Sequence, residues 1–256
     1  MKKHLLNGTK ALVPVVSVCD RPEVVETMLK NIFTAQGAEA RGIFFLGSDI
    51  APATFGEAFE TVRDILRPTD NFFLGVGFPR EHPTEARLHA STIGADALFL
   101  PELANGTDVC KELRDIVALK ELFDEECFSE ECEPSPLQYD IPIFGGIRLD
   151  QLPDEKCLVE CVREVSPYVD VIVLTNLAGT APPDMARVSA VRKTLADKPL
   201  AIMNGVTPRS AAHMVSGIGI DCILTPPGFG NNEYLLEARN ILPIAKAVRN
   251  HNAVQH

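Results

Sequence analysis

The sequence predicts a single (β/α)8 barrel, and three observations carry that prediction. Eight short apolar runs alternate with amphipathic stretches of helical period along the whole chain. The runs are apolar continuously and not on every second residue, which means strands covered on both faces, as in a parallel sheet wrapped by helices. The length, 256 residues, suits one closed barrel, and no linker divides it. An open doubly wound sheet is the competing architecture, but no GxGxxG turn follows the first run.

The elements follow in order. The run ALVPVVSV (Ala11 to Val18) is the first strand, and Pro22 opens a helix through EVVETMLKNIFTAQG. RGIFFLG, a helix through FGEAFETVRDILR, and NFFLGVGF come next. After Pro83 a helix through TEARLHASTIG leads to ADALFLPEL. The fourth connection carries the helical stretch DVCKELRDIVALKELF, then an acidic, proline-containing segment, an elaboration spanning about 105–140 that is long for a barrel loop. IPIFGGIRL, EKCLVECVREVSPY, DVIVLTNL, DMARVSAVRKTLA, PLAIMNGV, RSAAHMVSGIG, DCILTPPG and LLEARNILPIAKAVRN complete the alternation. Gly94-Ala95-Asp96 and Gly219-Ile220-Asp221 repeat one pattern. In each, the glycine is expected to end a helix in a left-handed cap, and the aspartate to sit on the tight turn into the next strand.

Composition narrows the function. A net charge of −11 argues against nucleic acid and against an anionic membrane surface, since both are held through a positive field. It leaves room for an anionic small molecule wherever cations gather locally. The opening residues, interrupted by Pro14 and ending at Asp20, read as a strand and not as a signal peptide. No run approaches the roughly 18 uninterrupted apolar residues of a membrane span. A soluble, cytoplasmic protein is therefore expected. The seven cysteines, Cys19, Cys110, Cys127, Cys132, Cys157, Cys161 and Cys222, are expected to be reduced structural thiols. Their number is odd, and no paired spacing suggests zinc.

In a barrel, chemistry belongs to the C-terminal strand ends and the loops after them. Those positions here hold Cys19, Asp20 and Arg21; Ser48 and Asp49; Arg80, Glu81 and His82; Glu102; Arg148 and Asp150; Thr175 and Asn176; Asn204; and Thr225. Arg148 stands out, because an arginine closing an apolar strand must be paired or bind an anion. Its candidate partners are Glu102 and Asp150. The turn Asn204-Gly205-Val206-Thr207-Pro208 and the loop containing Gly228 follow the last two strands, where phosphate-binding barrels commonly hold their anion. The alternative for these glycines and Thr207 is an ordinary turn and helix cap.

The segments AGTAPPDMARVSAVRKTL and PLAIMNGVTPRSAAHMVSGIGIDCIL resemble the closing portion of the BtpA/SgcQ family of barrels. The matching positions are Gly179, Pro182, Pro183 and Asp184 after strand six, then Gly205, Val206, Thr207 and Pro208 after strand seven. LGVGFPREHPTEARLHASTIGADALFLPEL is similar to the family's third and fourth units more loosely. The resemblance implies a barrel acting on nucleosides or sugars, or one serving photosystem biogenesis. The opening residues also resemble phosphoribosylanthranilate isomerase, whose first strand carries a catalytic cysteine where Cys19 stands. Here Asp20-Arg21-Pro22 replaces that family's Gly-x-Thr turn, and Asp150 is the only counterpart to its strand-five aspartate.

Several chemistries are disfavoured. A Schiff-base mechanism needs a lysine in the mouth, whereas Lys10, Lys156 and Lys198 fall on the opposite side or in helices. No Gly-x-Ser-x-Gly elbow supports a serine nucleophile. No cofactor is expected; magnesium is the one metal that Asp49, Glu102 and Asp150 could hold, without a histidine at ligand spacing. The expected function is metal-independent acid–base chemistry on a small phosphorylated sugar or nucleoside-type substrate, of isomerase, lyase or nucleosidase type. Asp20 or Glu102 would act as base and Cys19 or His82 as acid. Arg148, Arg80, Asn176, Asn204, Gly205, Thr207 and Gly228 would bind substrate or its phosphate. The alternative is a barrel that binds a metabolite, or assists assembly of a complex, without turnover. A homo-oligomer is compatible with either reading.

Overall fold

In the structure, a computed structural model, the described residues are 6, 9–66, 72–103, 141–175, 183–226 and 234–254. Eight parallel strands close into one barrel in sequence order, with β8 paired back to β1. They are β1 (Ala11–Cys19), β2 (Gly42–Asp49), β3 (Phe73–Gly77), β4 (Ala97–Leu100), β5 (Ile143–Arg148), β6 (Val171–Thr175), β7 (Leu200–Met203) and β8 (Cys222–Thr225). Among the described residues seven helices surround them: α1 (Val24–Gly37), α2 (Pro52–Leu66), α3 (Pro83–Thr92), α4 (Glu155–Val165), α5 (Met185–Leu195), α6 (Pro208–His213) and α7 (Ala238–Val254). The connection between β4 and β5, with its acidic segment, lies outside the described residues, as do Cys110, Cys127 and Cys132.

Two buried layers result from strand alternation. Residues such as Val13, Phe44, Phe99, Phe144, Val173, Ala201 and Leu224 fill the barrel interior. Their neighbours, including Val16, Phe45, Leu98, Ile147, Ile172 and Ile223, pack outward against the helices. The centre is aromatic: the Phe44 ring lies 5.5 Å from Phe73, 5.6 Å from Phe99 and 5.0 Å from Phe144. Each such side chain buried in full contributes about 2–3 kcal/mol. Gly75 makes room for this plug, since a Cβ there would fall 2.3 Å from the Phe44 ring.

Both Gly-x-Asp turns form as expected, with Gly94 at φ +67° and Gly219 at φ +83°. Arg63 of α2 donates to the carbonyls of Ile93 and Gly94 at 2.8 and 2.9 Å, capping the end of α3. The aspartates do more than turn the chain. Asp96 accepts the Leu74 N–H, Asp170 the Ile143 N–H and Asp221 the Leu200 N–H, each at 2.9 Å. Each of these carboxylates thus holds the start of the preceding strand at the N-terminal face of the barrel. Asp221 also receives Lys10 at 2.9 Å and Arg192 at 3.0 Å.

Two helices differ from the sequence expectation. The stretch through RSAAHMVSGIG forms α6 for six residues and then widens into a π-turn at Met214–Ile218. The last helix starts at Ala238, later than its apolar pattern suggested, because Tyr234–Leu236 is held by Asn31 of α1. No helix among the described residues is long and apolar enough to cross a membrane.

Candidate functional site

The C-terminal mouth is built from the last inward-facing positions of the strands. On β5, Phe144 belongs to the barrel interior while Ile143 and Ile147 face the helices. Alternation therefore turns Arg148 inward, over the mouth. On β6, Val171 and Val173 point inward, which brings Thr175 beside Arg148 in the ladder. The Thr175 hydroxyl is buried and donates to the Ile147 carbonyl at 3.5 Å.

Arg148 is the centre of an ion-pair cluster. Its Nη2 and Nε donate to the two oxygens of Asp150 at 2.7 and 3.3 Å, and its Nη1 reaches Glu102 at 3.5 Å. The arginine side chain is only 12% exposed, against 33% for Asp150 and 44% for Glu102. The hydrogen bonds that Arg148 donates to Asp150, reinforced by both carboxylate charges, raise the Arg148 pKa above its ordinary value. The cation is thus permanent, nearly buried and braced from one side in a bidentate grip. The Glu102 contact is the loosest of the three.

The other expected site residues are distributed around the rim. Arg80 pairs with Asp49 at 3.1 Å, and both are well exposed. His82 is exposed and serves as the N-cap of α3, its Nδ1 accepting the Thr84 N–H at 3.4 Å. Asp20 is exposed just beyond β1, its N–H donating to the Asp49 carbonyl at 3.2 Å. After β7, Asn204 and Gly205 both take positive φ, +71° and +64°, in a sharp turn. Thr207 then closes a capping box: its hydroxyl accepts the Ser210 N–H at 3.1 Å, and the Ser210 hydroxyl accepts the Thr207 N–H at 2.8 Å. Asn176 and Gly228 lie outside the described residues, as do Gly179 and Pro182. Among the described residues no group of three or more His, Cys, Asp or Glu side chains could hold a metal ion.

Cys19 is not gathered with Arg148. Strands β1 and β5 face each other across the eight-membered ring. The pairing of β1 with β2 slips by one residue between Ser17 and Cys19. Such a slip re-aims the side chains that follow it. Cys19 lines a pocket of about 120 Å³ beside β1, together with Ser17, Arg21, Lys30, Asn31 and Tyr234. Sequence reasoning missed this pocket. Its wall at Tyr234 lies 203 residues from Asn31 along the chain, and no local pattern announces that contact. The remaining described thiols lie away from the mouth. Cys222 is buried inside the barrel, which pushes its pKa far above the thiol range, and Cys157 is raised by its hydrogen bond with Asp154.

No protein-family model matches the sequence, and no curated protein matches it. Solved structures do match the fold. Phosphoribosyl anthranilate isomerase from Thermus thermophilus aligns at a TM-score of 0.60 and 13% identity, over 93% of this chain and 98% of that one. (S)-3-O-geranylgeranylglyceryl phosphate synthase from Thermoplasma acidophilum, solved with its substrate sn-glycerol-1-phosphate, aligns at 0.62 and 15%, over 96% and 95%. The tryptophan synthase α subunit from Legionella pneumophila aligns at 0.64 and 13%, over 98% and 99%. At such identities the likeness is one of fold.

Proposed function

We propose that this barrel binds a small phosphorylated metabolite at its C-terminal mouth and acts on it by acid–base chemistry. The observation that carries the reading is Arg148: a nearly buried cation aimed into the mouth, braced by Asp150 and only loosely held by Glu102. An anionic substrate takes the Nη1 side of the guanidinium and displaces Glu102, which serves as a base beside the bound molecule. Asp150 keeps Arg148 oriented throughout. Arg80 adds positive charge at the rim. The turn at Asn204, Gly205 and Thr207 carries the BtpA/SgcQ resemblance and is the position we assign to the phosphate group. Asp20, Cys19 and His82 remain the further acid–base candidates. Two fold neighbours support the substrate class, one named for a phosphoribosyl compound and one solved with a glycerol phosphate.

A second reading has its own observation. Cys19 and His82 are not assembled with Arg148, and His82 and Thr207 already serve as helix caps. A binding protein without turnover, of the metabolite-sensing or complex-assembly kind, fits that dispersal.

A thermal-shift screen separates these readings. Inorganic phosphate, sugar phosphates, nucleotides and their unphosphorylated counterparts are tested with and without magnesium, on the native protein and on Arg148→Ala. Stabilisation by phosphorylated compounds alone is expected, about 2.7 kcal/mol at one hundred times the dissociation constant, and it is lost in the variant. Equal shifts from the unphosphorylated counterparts would remove the anion-binding mouth. Mass spectrometry of the stabilising compound after incubation then distinguishes catalysis from binding.

A further inference from the structure

We infer that the pocket beside β1 is a second ligand site, built for a small organic anion with a short aliphatic body. At about 120 Å³ it has room for a ligand of a few carbons, the volume of about four waters. Its walls divide by chemistry. Val18, Met28 and Leu235 make an apolar side, Ser17 is a polar residue of the wall, and Asn31 is spent on holding that wall together. Arg21 and Lys30 supply the charge. None of the described residues lining it is acidic, in a chain whose net charge is −11. A concave site that pairs apolar surface with two cations selects a carboxylate or phosphonate head on a few carbons.

The walls are set before any ligand arrives. Asn31 is 1% exposed; its amide donates to the Tyr234 carbonyl at 2.8 Å and its oxygen accepts the Leu236 N–H at 2.7 Å. The Arg21 guanidinium lies over the Tyr234 ring, 5.0 Å from its centroid. These contacts tie the entry of α7 to α1 and hold both sides of the cavity at a fixed separation, which lowers the ordering cost of binding. Lys30 is paired with Glu26 at 2.8 Å, but both side chains are more than half exposed. An exposed pair of this kind is weak, so an anion in the pocket recruits Lys30 readily. Arg148 is not among the residues lining it; that arginine is paired with Asp150 and Glu102 at the end of β5, across the ring from β1.

Cys19 lines the pocket and is half-buried, so its alkylation reports occupancy directly. The experiment measures iodoacetamide modification of Cys19 by peptide mass mapping in the full-length protein, with Cys157 and Cys161 as internal controls. The probes are propylphosphonate and butyrate, with 1-butanol as the neutral comparison. An anion at about ten times its dissociation constant is expected to slow Cys19 modification about tenfold. The controls stay unchanged, and butanol protects little. The double substitution Arg21→Gln, Lys30→Gln is expected to abolish the protection, whereas Arg148→Ala preserves it while losing the phosphate-dependent thermal shift. Absence of protection by either anion would overturn the proposal, as would equal protection by butanol or protection that survives the double substitution.

Discussion

The two faces of this barrel use the same ionic groups to opposite ends. At the N-terminal face, Asp96, Asp170 and Asp221 stand just before β4, β6 and β8, and each carboxylate accepts an N–H from the first or second residue of the preceding strand. Before β2 the corresponding residue is Arg41; its N–H bonds to the Leu12 carbonyl, but it has no carboxylate to complete the pattern. Asp221 adds two cations, and the three side chains are between 16% and 28% exposed. At the C-terminal mouth the pairs are looser: Arg148 is enclosed, but its partners are 33% and 44% exposed, and the Arg80–Asp49 pair is more open still. The difference teaches where stability and function reside. Carboxylates that satisfy backbone N–H groups cannot leave without orphaning a strand. A carboxylate that meets an arginine at a wet rim can be exchanged for a ligand.

Substitutions can break that contrast or sharpen it. Asp221→Ala is expected to have the largest effect on folding, because it orphans the Leu200 N–H and takes the carboxylate from Lys10 and Arg192, leaving them only backbone carbonyls. A loss of about 2–3 kcal/mol should appear in urea denaturation. A loss below about 0.5 kcal/mol, the level of an ordinary surface change, would mean that the N-terminal face is not the anchor described above. Arg148→Ala should cost about 1 kcal/mol in the same assay, since the freed carboxylates are partly solvated. It should nevertheless remove all phosphate-specific stabilisation. If it unfolds the protein instead, the two faces do not differ in kind.

The third test uses pH. Burial holds the Cys222 thiol well above its ordinary pKa, so the folded state keeps a proton that the unfolded chain gives up. Its contribution is complete below the ordinary thiol range and is lost as pH rises through and beyond it. Between about pH 8 and pH 10, native stability should fall more steeply than that of Cys222→Ala; parallel slopes would show that this thiol is not held protonated. The smallest effect is expected for Arg80→Ala. Its pair is exposed at both ends, so stability should change by less than about 0.5 kcal/mol, with any consequence confined to ligand affinity.

Legibility followed the same division. The eight apolar runs became eight strands in order, since a strand buried on both faces writes its environment directly into its composition. Gly94 and Gly219 were legible as helix ends because a left-handed cap selects glycine locally. The aspartates after them were read as turn residues only. Their partners Leu74 and Leu200 lie 22 and 21 residues away, beyond any local pattern. Asp170, which follows no such glycine, carried no signal at all. The helix at 208–218 was legible as helix, but not its widening at Met214, which concerns hydrogen-bond register and leaves the apolar spacing unchanged.

At the mouth, the sequence by itself determined that Arg148 must have company, because a lone guanidinium closing an apolar strand is too costly to bury. It also determined the barrel, the parallel order and the absence of a strand-end lysine. Only the tertiary structure decided which carboxylates answer Arg148, and with what geometry: Asp150 firmly, Glu102 loosely. It alone drew Cys19 away from that cluster into a pocket with Arg21 and Lys30, through a slip in the β1–β2 ladder and a clamp between Asn31 and Tyr234–Leu236. The physical reason is range. Burial and backbone conformation act on each residue through its near neighbours in sequence. A site is instead an agreement between side chains brought together by closure of the ring.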